Sequence, residues 1–215
     1  MRVAALLPAA GSGHRLGLGP KALVRLGERT ILEVAAGALE AHVDELVIGA
    51  PAGLGTEFRR LVPGALVVRG AASRKATVSA LLAATAADIV VIHDAARPFL
   101  PAAVLHSVIR AAGRHGAASA AQPLADTIVR RDGADAPARE ALLAVQTPQA
   151  FHRELLLEAH AAGCEATDDA GLVARLGRQV EYVPGSAWLF KITAQADLEL
   201  ARALLPGWEA DTGDH

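Results

Sequence analysis

Short apolar runs rich in Val, Ile and Leu alternate along the chain with longer stretches whose apolar residues recur every three or four positions. The short runs predict strands at residues 2–7, 45–49, 65–68, 88–93, 117–122, 127–130, 179–183 and 189–192. Several are apolar throughout rather than alternating, as expected of parallel strands covered on both faces. The longer periodic stretches predict helices at 31–41, 73–86, 101–115, 153–162, 168–176 and 194–204. Thr30 and Thr193 are placed to act as N-caps, and Pro101 suits a first helical turn. Strands alternating with helices give βαβ units, hence an α/β fold with a doubly wound, mostly parallel sheet in one domain spanning 1–205. The rhythm breaks at 124–151. A short strand, a polar segment at 132–138 and a further strand before Pro148 predict a hairpin-like excursion there. Residues 206–215 are polar and acidic and predict a frayed tail.

Composition narrows the class. The chain has 215 residues, 52% of them hydrophobic, which is enough for one sizeable core. The formal charge of −2 gives no electrostatic footprint for nucleic acid or an anionic membrane surface. Cys164 is the lone cysteine, so neither an intramolecular disulfide nor a thiolate metal cluster can form, and an inert thiol is expected. The apolar start at 1–7 is too short for a signal peptide, and no run approaches the roughly 18 apolar residues of a membrane span. A cytoplasmic enzyme without membrane or nucleic-acid partners is the expectation.

Chemistry first shows where the opening strand ends. Leu7-Pro8-Ala9-Ala10-Gly11-Ser12-Gly13-His14-Arg15, followed by Pro20-Lys21, sets small residues and two cations after an apolar run. Small residues let backbone approach a ligand, and successive loop N–H groups form an anion-binding concavity. A dinucleotide fingerprint would need glycine at position 16, which is Leu16. A Walker A loop would need Lys21 to follow glycine and precede Ser or Thr, but Pro20 and Ala22 flank it. What remains, Pro-Ala-Ala-Gly-x-Gly-x-Arg with a nearby Pro-Lys, resembles the nucleoside-triphosphate loop of sugar-nucleotide pyrophosphorylases and cytidylyltransferases.

A second element follows the strand at 88–93: His93-Asp94-Ala95-Ala96-Arg97-Pro98-Phe99. Asp94 stands where a carboxylate could hold Mg²⁺ or another divalent cation, hard ions that prefer oxygen ligands and bridge phosphates. Arg97 offers a bidentate fork to a phosphate. His93 is expected to be a half-buried, hydrogen-bonded residue at the strand end.

Together, Pro8-Ala-Ala-Gly-Ser-Gly-x-Arg15 and His93-Asp-Ala-Ala-Arg-Pro98 are similar to the 2-C-methyl-D-erythritol 4-phosphate cytidylyltransferase family. Ser73-Arg74 with Thr77-Val78, Pro123-Leu-Ala-Asp-Thr127, Gln146-Thr-Pro-Gln-Ala-Phe151, Thr167-Asp-Asp-Ala170 and Phe190-Lys-Ile-Thr193 extend the likeness over nearly all of 2–205. The resemblance implies a Rossmann-like sheet of the nucleotide-diphospho-sugar transferase type with a protruding β-arm at about 124–151. It implies transfer of CMP from CTP to methylerythritol phosphate with release of pyrophosphate. By the same pattern Arg15 and Lys21 stabilise the α-phosphate in the transition state, and Asp94 binds the metal and orients both substrates. Ala9, Ala10, Gly11, Ala71 and Ala72 surround the cytosine, which Thr77 hydrogen-bonds. Arg97, Thr127, Arg139, Thr147 and Lys191 take the polyol phosphate. Arg139 and Thr147 reach the neighbouring subunit's site from an exchanged arm, which implies a homodimer.

No Ser-His-Asp or Cys-His arrangement is evident, which agrees with direct in-line attack. A lone Lys191 amid Trp188, Leu189, Phe190 and Ile192 would be costly without an anion beside it. Four features depart from the family pattern. The Arg15–Lys21 spacing is one residue short, Gly171 follows Thr-Asp-Asp-Ala where Ser is usual, Leu189 stands where a polar residue is frequent, and Ala71-Ala72 replaces a glycine-rich pair. A ribitol 5-phosphate cytidylyltransferase shares most of the CTP-site motifs. A sugar-1-phosphate guanylyl- or uridylyltransferase and a non-catalytic nucleotide-binding regulator are more distant readings.

Overall fold

The computed structural model describes residues 1–11, 17–133 and 137–212. Among these, one sheet has seven strands. They are β1 (Val3–Pro8), β4 (Glu45–Ala50), β5 (Leu66–Arg69), β6 (Ile89–Ile92), β7 (Ala117–Pro123), β8 (Leu143–His152) and β9 (Glu181–Pro184), in spatial order β5-β4-β1-β6-β8-β7-β9. All neighbours are parallel except where β8 runs antiparallel between β6 and β7. β2 (Arg25–Leu26) and β3 (Arg29–Thr30) form a separate small hairpin.

Alternation along each strand sorts its side chains onto two faces. Ala5 and Leu7 of β1, with Ile89 and Val91 of β6, pack under α1 (Ile31–Glu40), α2 (Gly55–Leu61) and α4 (Ala102–His115). Ala4 and Leu6, with Val90 and Ile92, face α3 (Arg74–Ala83), α5 (Arg153–Ala161) and α6 (Asp169–Arg175). Burial on both faces is why these strands read as unbroken apolar runs. Thr30 caps α1 in a full capping box with Glu33, and α4 ends on Gly116, whose φ of 86° is the left-handed conformation that favours glycine.

The winding reverses at β1, so a crevice opens beyond the carboxyl ends of β1 and β6, the usual ligand position in such sheets. Gly70 helps to close its rim. A Cβ there would fall 2.4 Å from the Ala10 Cβ and 3.1 Å from the Ala50 carbonyl, so only glycine allows the loop after β5 to meet the loop after β1.

Several sequence expectations are corrected. Residues 143–151, expected in the excursion, are strand β8 of the main sheet, which passes Pro148 with a break in its register against β7 between Val145 and Gln149. Residues 127–130 form no strand, because they have no partner ladder. The only regular piece described between β7 and β8 is a 3₁₀ turn at Arg139–Ala141. Residues 189–192 are a 3₁₀ turn (Ala187–Leu189) and extended chain, joined to the body by the Ile192 N–H on the Ala96 carbonyl. Thr193 does not cap the last helix, α7 (Gln195–Thr212). Its N–H and hydroxyl instead donate to Asp197, whose carboxyl is held below its ordinary range first by that hydroxyl and then by backbone N–H groups. Helix α2 is additional to the expected helices, being too short to show a clear period in sequence.

The segment expected as a frayed tail continues α7 through Pro206 to Thr212. Trp208 is only 5% exposed and packs with Phe99, Trp188 and nearby Phe190, ring centroids lying 5.5 Å and 5.3 Å from the first two. This cluster seats the chain that carries Lys191. Replacing Trp208 by Ala is expected to cost about 3 kcal/mol in urea unfolding. A loose tail would leave stability unchanged.

Candidate functional site

Beyond β1 and β6 lies a cleft of about 640 Å³. Its walls come from the loop after β1 (Pro8 to Gly11), the 3₁₀ turn Lys21–Leu23, the loop into α3 (Ala71 to Thr77), the turn after β6 (Asp94 to Ala96) and Lys191. Of the residues singled out from sequence, Ala9, Ala10, Gly11, Lys21, Ala71, Ala72, Thr77, Asp94 and Lys191 all line it. Arg15 lies outside the described residues.

The cleft is organised around Asp94. Lys191 Nζ donates to its Oδ2 at 2.6 Å, and Arg74 Nε donates to its Oδ1 at 3.1 Å. Burial acting alone would raise the Asp94 pKa, but the two cations hold the carboxyl well below the usual carboxylate range. Arg74 shows the converse. Burial would lower its pKa, but attraction to Asp94 and then Asp169 raises it above the ordinary guanidinium value. Arg74 opens α3, where Ser73 caps the helix by accepting the Ala76 N–H, so a helix N-terminus and a guanidinium face the same space. Sequence reasoning quoted Ser73-Arg74 but gave Arg74 no role. The signal was a cation in the first turn of a helix that follows a parallel strand.

Below Asp94 runs a chain of neutral hydrogen bonds. The Asp94 N–H donates to Thr147 Oγ1 at 3.0 Å, and Thr147 Oγ1 lies 3.2 Å from His93 Nδ1. His93 Nε2 lies 2.9 Å from the Arg97 carbonyl, which can only accept. The proton therefore sits on Nε2, and Nδ1 receives the Thr147 hydroxyl. His93 is fully buried rather than half-buried, and desolvation lowers its pKa to about 4, against smaller upward pulls from the Arg97 carbonyl and Asp94.

Other assignments shift. Thr77 reaches the cleft wall, but its hydroxyl accepts the Ala71 N–H at 3.0 Å and donates to the Ser73 carbonyl at 2.9 Å, shaping the loop. Lys21 lines the cleft and donates to the Ile192 carbonyl at 2.8 Å. Thr147 is 4% exposed and packs beneath its own chain's Asp94, just past the end of the β6–β8 ladder at Gln149; it does not extend outward. Arg97 turns its Nη1 to the Leu189 carbonyl, and its buried Nε finds no acceptor among the described residues. Burial lowers its pKa, with Asp94 opposing. Leu189 is fully buried and supplies only that carbonyl, so the departure from a polar residue removes nothing from the cleft. Thr127 and Arg139 are exposed, and Arg139 donates to the Ala125 carbonyl at 2.9 Å; neither lines the cleft.

Among the described residues no group of three or more His, Cys, Asp or Glu side chains could cage a metal ion. The Asp94 carboxylate still fits a hard divalent cation that takes its other ligands from phosphate and water, since each oxygen keeps a lone pair beyond its present bond. No helix of the described chain is long and apolar enough to cross a membrane.

Comparison with known proteins agrees with this geometry. The family described as 2-C-methyl-D-erythritol 4-phosphate cytidylyltransferase matches residues 3–206. A cytidylyltransferase of that name from Deinococcus radiodurans is 53% identical over 210 residues, covering 94% of this chain and 89% of that protein. One from Thermus thermophilus is 44% identical over 217 residues, covering 98% and 100%. The crystal structure of a Thermus thermophilus enzyme of the same name superposes with a TM-score of 0.83 at 40% identity, covering 96% of this chain and 100% of that one.

The His93 chain carries a pH signature. Between its unfolded value of 6.5 and its folded value of about 4, the unfolded state binds a proton that the folded state refuses. Stability from the neutral ring is complete above pH 6.5 and falls as pH drops toward 4, by up to about 3 kcal/mol. Urea unfolding across this window is expected to show the fall, and His93→Gln to flatten it. Equal slopes in both proteins would refute the assignment.

Proposed function

The chain belongs to the 2-C-methyl-D-erythritol 4-phosphate cytidylyltransferase family, and from that membership we propose that it transfers CMP from CTP to 2-C-methyl-D-erythritol 4-phosphate, a step of isoprenoid precursor synthesis. The products are 4-diphosphocytidyl-2-C-methyl-D-erythritol and pyrophosphate. The observation that carries the chemical reading is the convergence of Lys21, Arg74 and Lys191 with Asp94 in one cleft beyond β1 and β6.

The acceptor phosphate is already ionised near neutral pH, so no general base is needed. Its oxygen forms a bond to the α-phosphorus while the bond to the bridging oxygen breaks, and pyrophosphate leaves with that electron pair. Catalysis is then alignment plus neutralisation of charge gathering on the α-phosphate. Lys21 and Lys191 supply fixed cations, with Arg74 beside them, and the family resemblance adds Arg15. Held by Asp94 and the triphosphate, Mg²⁺ or another divalent ion would contribute further charge neutralisation. Asp94 meanwhile orients Lys191 and Arg74 before substrate arrives. Small residues Ala9 to Gly11 and Ala71-Ala72 leave backbone groups open to a pyrimidine edge, with Thr77 bracing that loop. The family resemblance assigns Arg97 to the acceptor phosphate; among the described residues it does not line the cleft and holds the Leu189 carbonyl. A cytoplasmic location accords with the nucleotide substrate and the single cysteine.

Pyrophosphate release is expected with CTP and methylerythritol phosphate and not with CTP and ribitol 5-phosphate. Release with ribitol 5-phosphate alone would move the enzyme to a different acceptor.

The proposal includes a homodimer in which Arg139, on the exposed stretch between β7 and β8, completes the partner's acceptor pocket. Support comes from exposed apolar side chains clustered in this stretch, namely Ile128, Val129 (78% exposed), Leu143 and Val145. Sedimentation should give a dimer, and Val129→Asp should shift it toward monomer while lowering activity. A wild-type monomer with full activity would rule the dimer out.

A further inference from the structure

We propose that Asp169 is a positioning residue for the nucleotidyl transfer, acting through Arg74 on the charge arrangement around Asp94. This rests on the reading of the cleft as a CTP site. Asp169 is 1% exposed and is not among the residues lining the cleft. Its two oxygens are divided between two elements. Oδ2 accepts from Arg74 Nη1 at 2.7 Å, and Oδ1 lies 2.9 Å from His160 Nε2. His160, itself buried on α5, holds its other ring nitrogen 2.9 Å from Ser79 Oγ on α3. Three helices on one face of the sheet thus meet at a single buried carboxylate.

The geometry gives that carboxylate a consequence in the cleft. A guanidinium is a rigid plane with five N–H donors in fixed directions. Arg74 places Nη1 on Asp169 and Nε on Asp94, so the two contacts together fix both the position and the tilt of the plane. Charges then alternate along a line: Asp169, Arg74, Asp94, Lys191. Each inner member sits between two opposite charges. With Asp169 neutral, Arg74 has Asp94 as its remaining carboxylate in this line and is drawn onto it or released toward solvent. Either movement also alters how Asp94 holds Lys191.

The position of Asp169 is itself secured by the sequence. Asp168 caps α6 by accepting the Gly171 N–H at 2.9 Å, and Gln149 of β8 clamps the same turn. Gln149 donates to Asp168 at 2.7 Å and accepts the Ala170 N–H at 3.1 Å. The adjacent acids in Thr167-Asp168-Asp169-Ala170 therefore divide the work: the first starts the helix and the second holds Arg74.

The test uses the full-length protein and CTP as the probe. Asp169→Asn keeps the shape and an acceptor oxygen but removes the charge. Calorimetry is expected to show CTP binding weakened about tenfold, with kcat lowered as well and Tm within a few degrees of wild type. In an Arg74→Lys background the same substitution should cost less than about twofold, because its effect runs through the guanidinium. Wild-type binding and turnover in Asp169→Asn would overturn the inference, as would the same loss in both backgrounds. Should Asp169→Asn fail to fold, His160→Gln, which retains an N–H donor in place of Nε2, replaces it. It is expected to weaken CTP binding about threefold at unchanged Tm, and unchanged binding would overturn the inference. A wild-type protein that binds no CTP would overturn the site reading too; one that binds CTP while Asp169→Asn matches it would overturn this inference alone.

Discussion

A single carboxylate clamped between two cations sets the terms for the rest of the molecule. Asp94 is mostly buried at the end of a fully buried strand, where an unpaired charge could not persist. Lys191 and Arg74 make its burial tolerable, and they arrive from opposite sides. Arg74 comes from the first turn of α3, packed on one face of the sheet. Lys191 comes from an irregular segment seated by the Phe99, Trp188, Phe190 and Trp208 cluster. The ion pairs thus join two hydrophobic cores across the mouth of the cleft. Breaking either pair strands a charge and costs more than the pair itself contributes.

This arrangement serves a nucleotide cleft well. In the proposed function, cations held by a protein carboxylate are already aimed when a triphosphate enters, so little reorganisation remains for the reaction step. The neutral chain beneath, from the Asp94 N–H through Thr147 to His93, sets the carboxylate's height without adding charge. His93 can do so only while unprotonated, which its complete burial ensures near neutral pH.

Most of the parallel sheet was legible because strands buried on both faces leave long aliphatic runs: β1, β4 and β6 fall within one or two residues of expectation. β8 was not, since its Gln146-Thr147-Pro148-Gln149 core is polar and holds a proline, features that argue against an interior strand. Its buried Gln146 and Gln149 are satisfied by side-chain and backbone partners far away in sequence, which periodicity does not reveal. The α7 extension was missed for a similar reason. Around Pro206 the residues look like a tail until Trp208 is seen against Phe99.

At the site, residues adjacent to strand ends were readable: Ala9 to Gly11, Asp94, and Lys21 by its proline-flanked position. Lys191 was readable from the family pattern and from cost, as a cation in an apolar run that needed an anion. Arg74 left one signal, its place in the first turn of α3, while the role of Asp169 exists only as a distance to Arg74, 95 residues away. The most direct measurement of the central claim is carbon-13 NMR of the Asp94 side-chain carboxyl through an acid titration. An ionised shift that stays flat to the lowest pH at which the fold persists is the predicted result. A titration midpoint near about 4, the ordinary carboxylate value, would contradict the account.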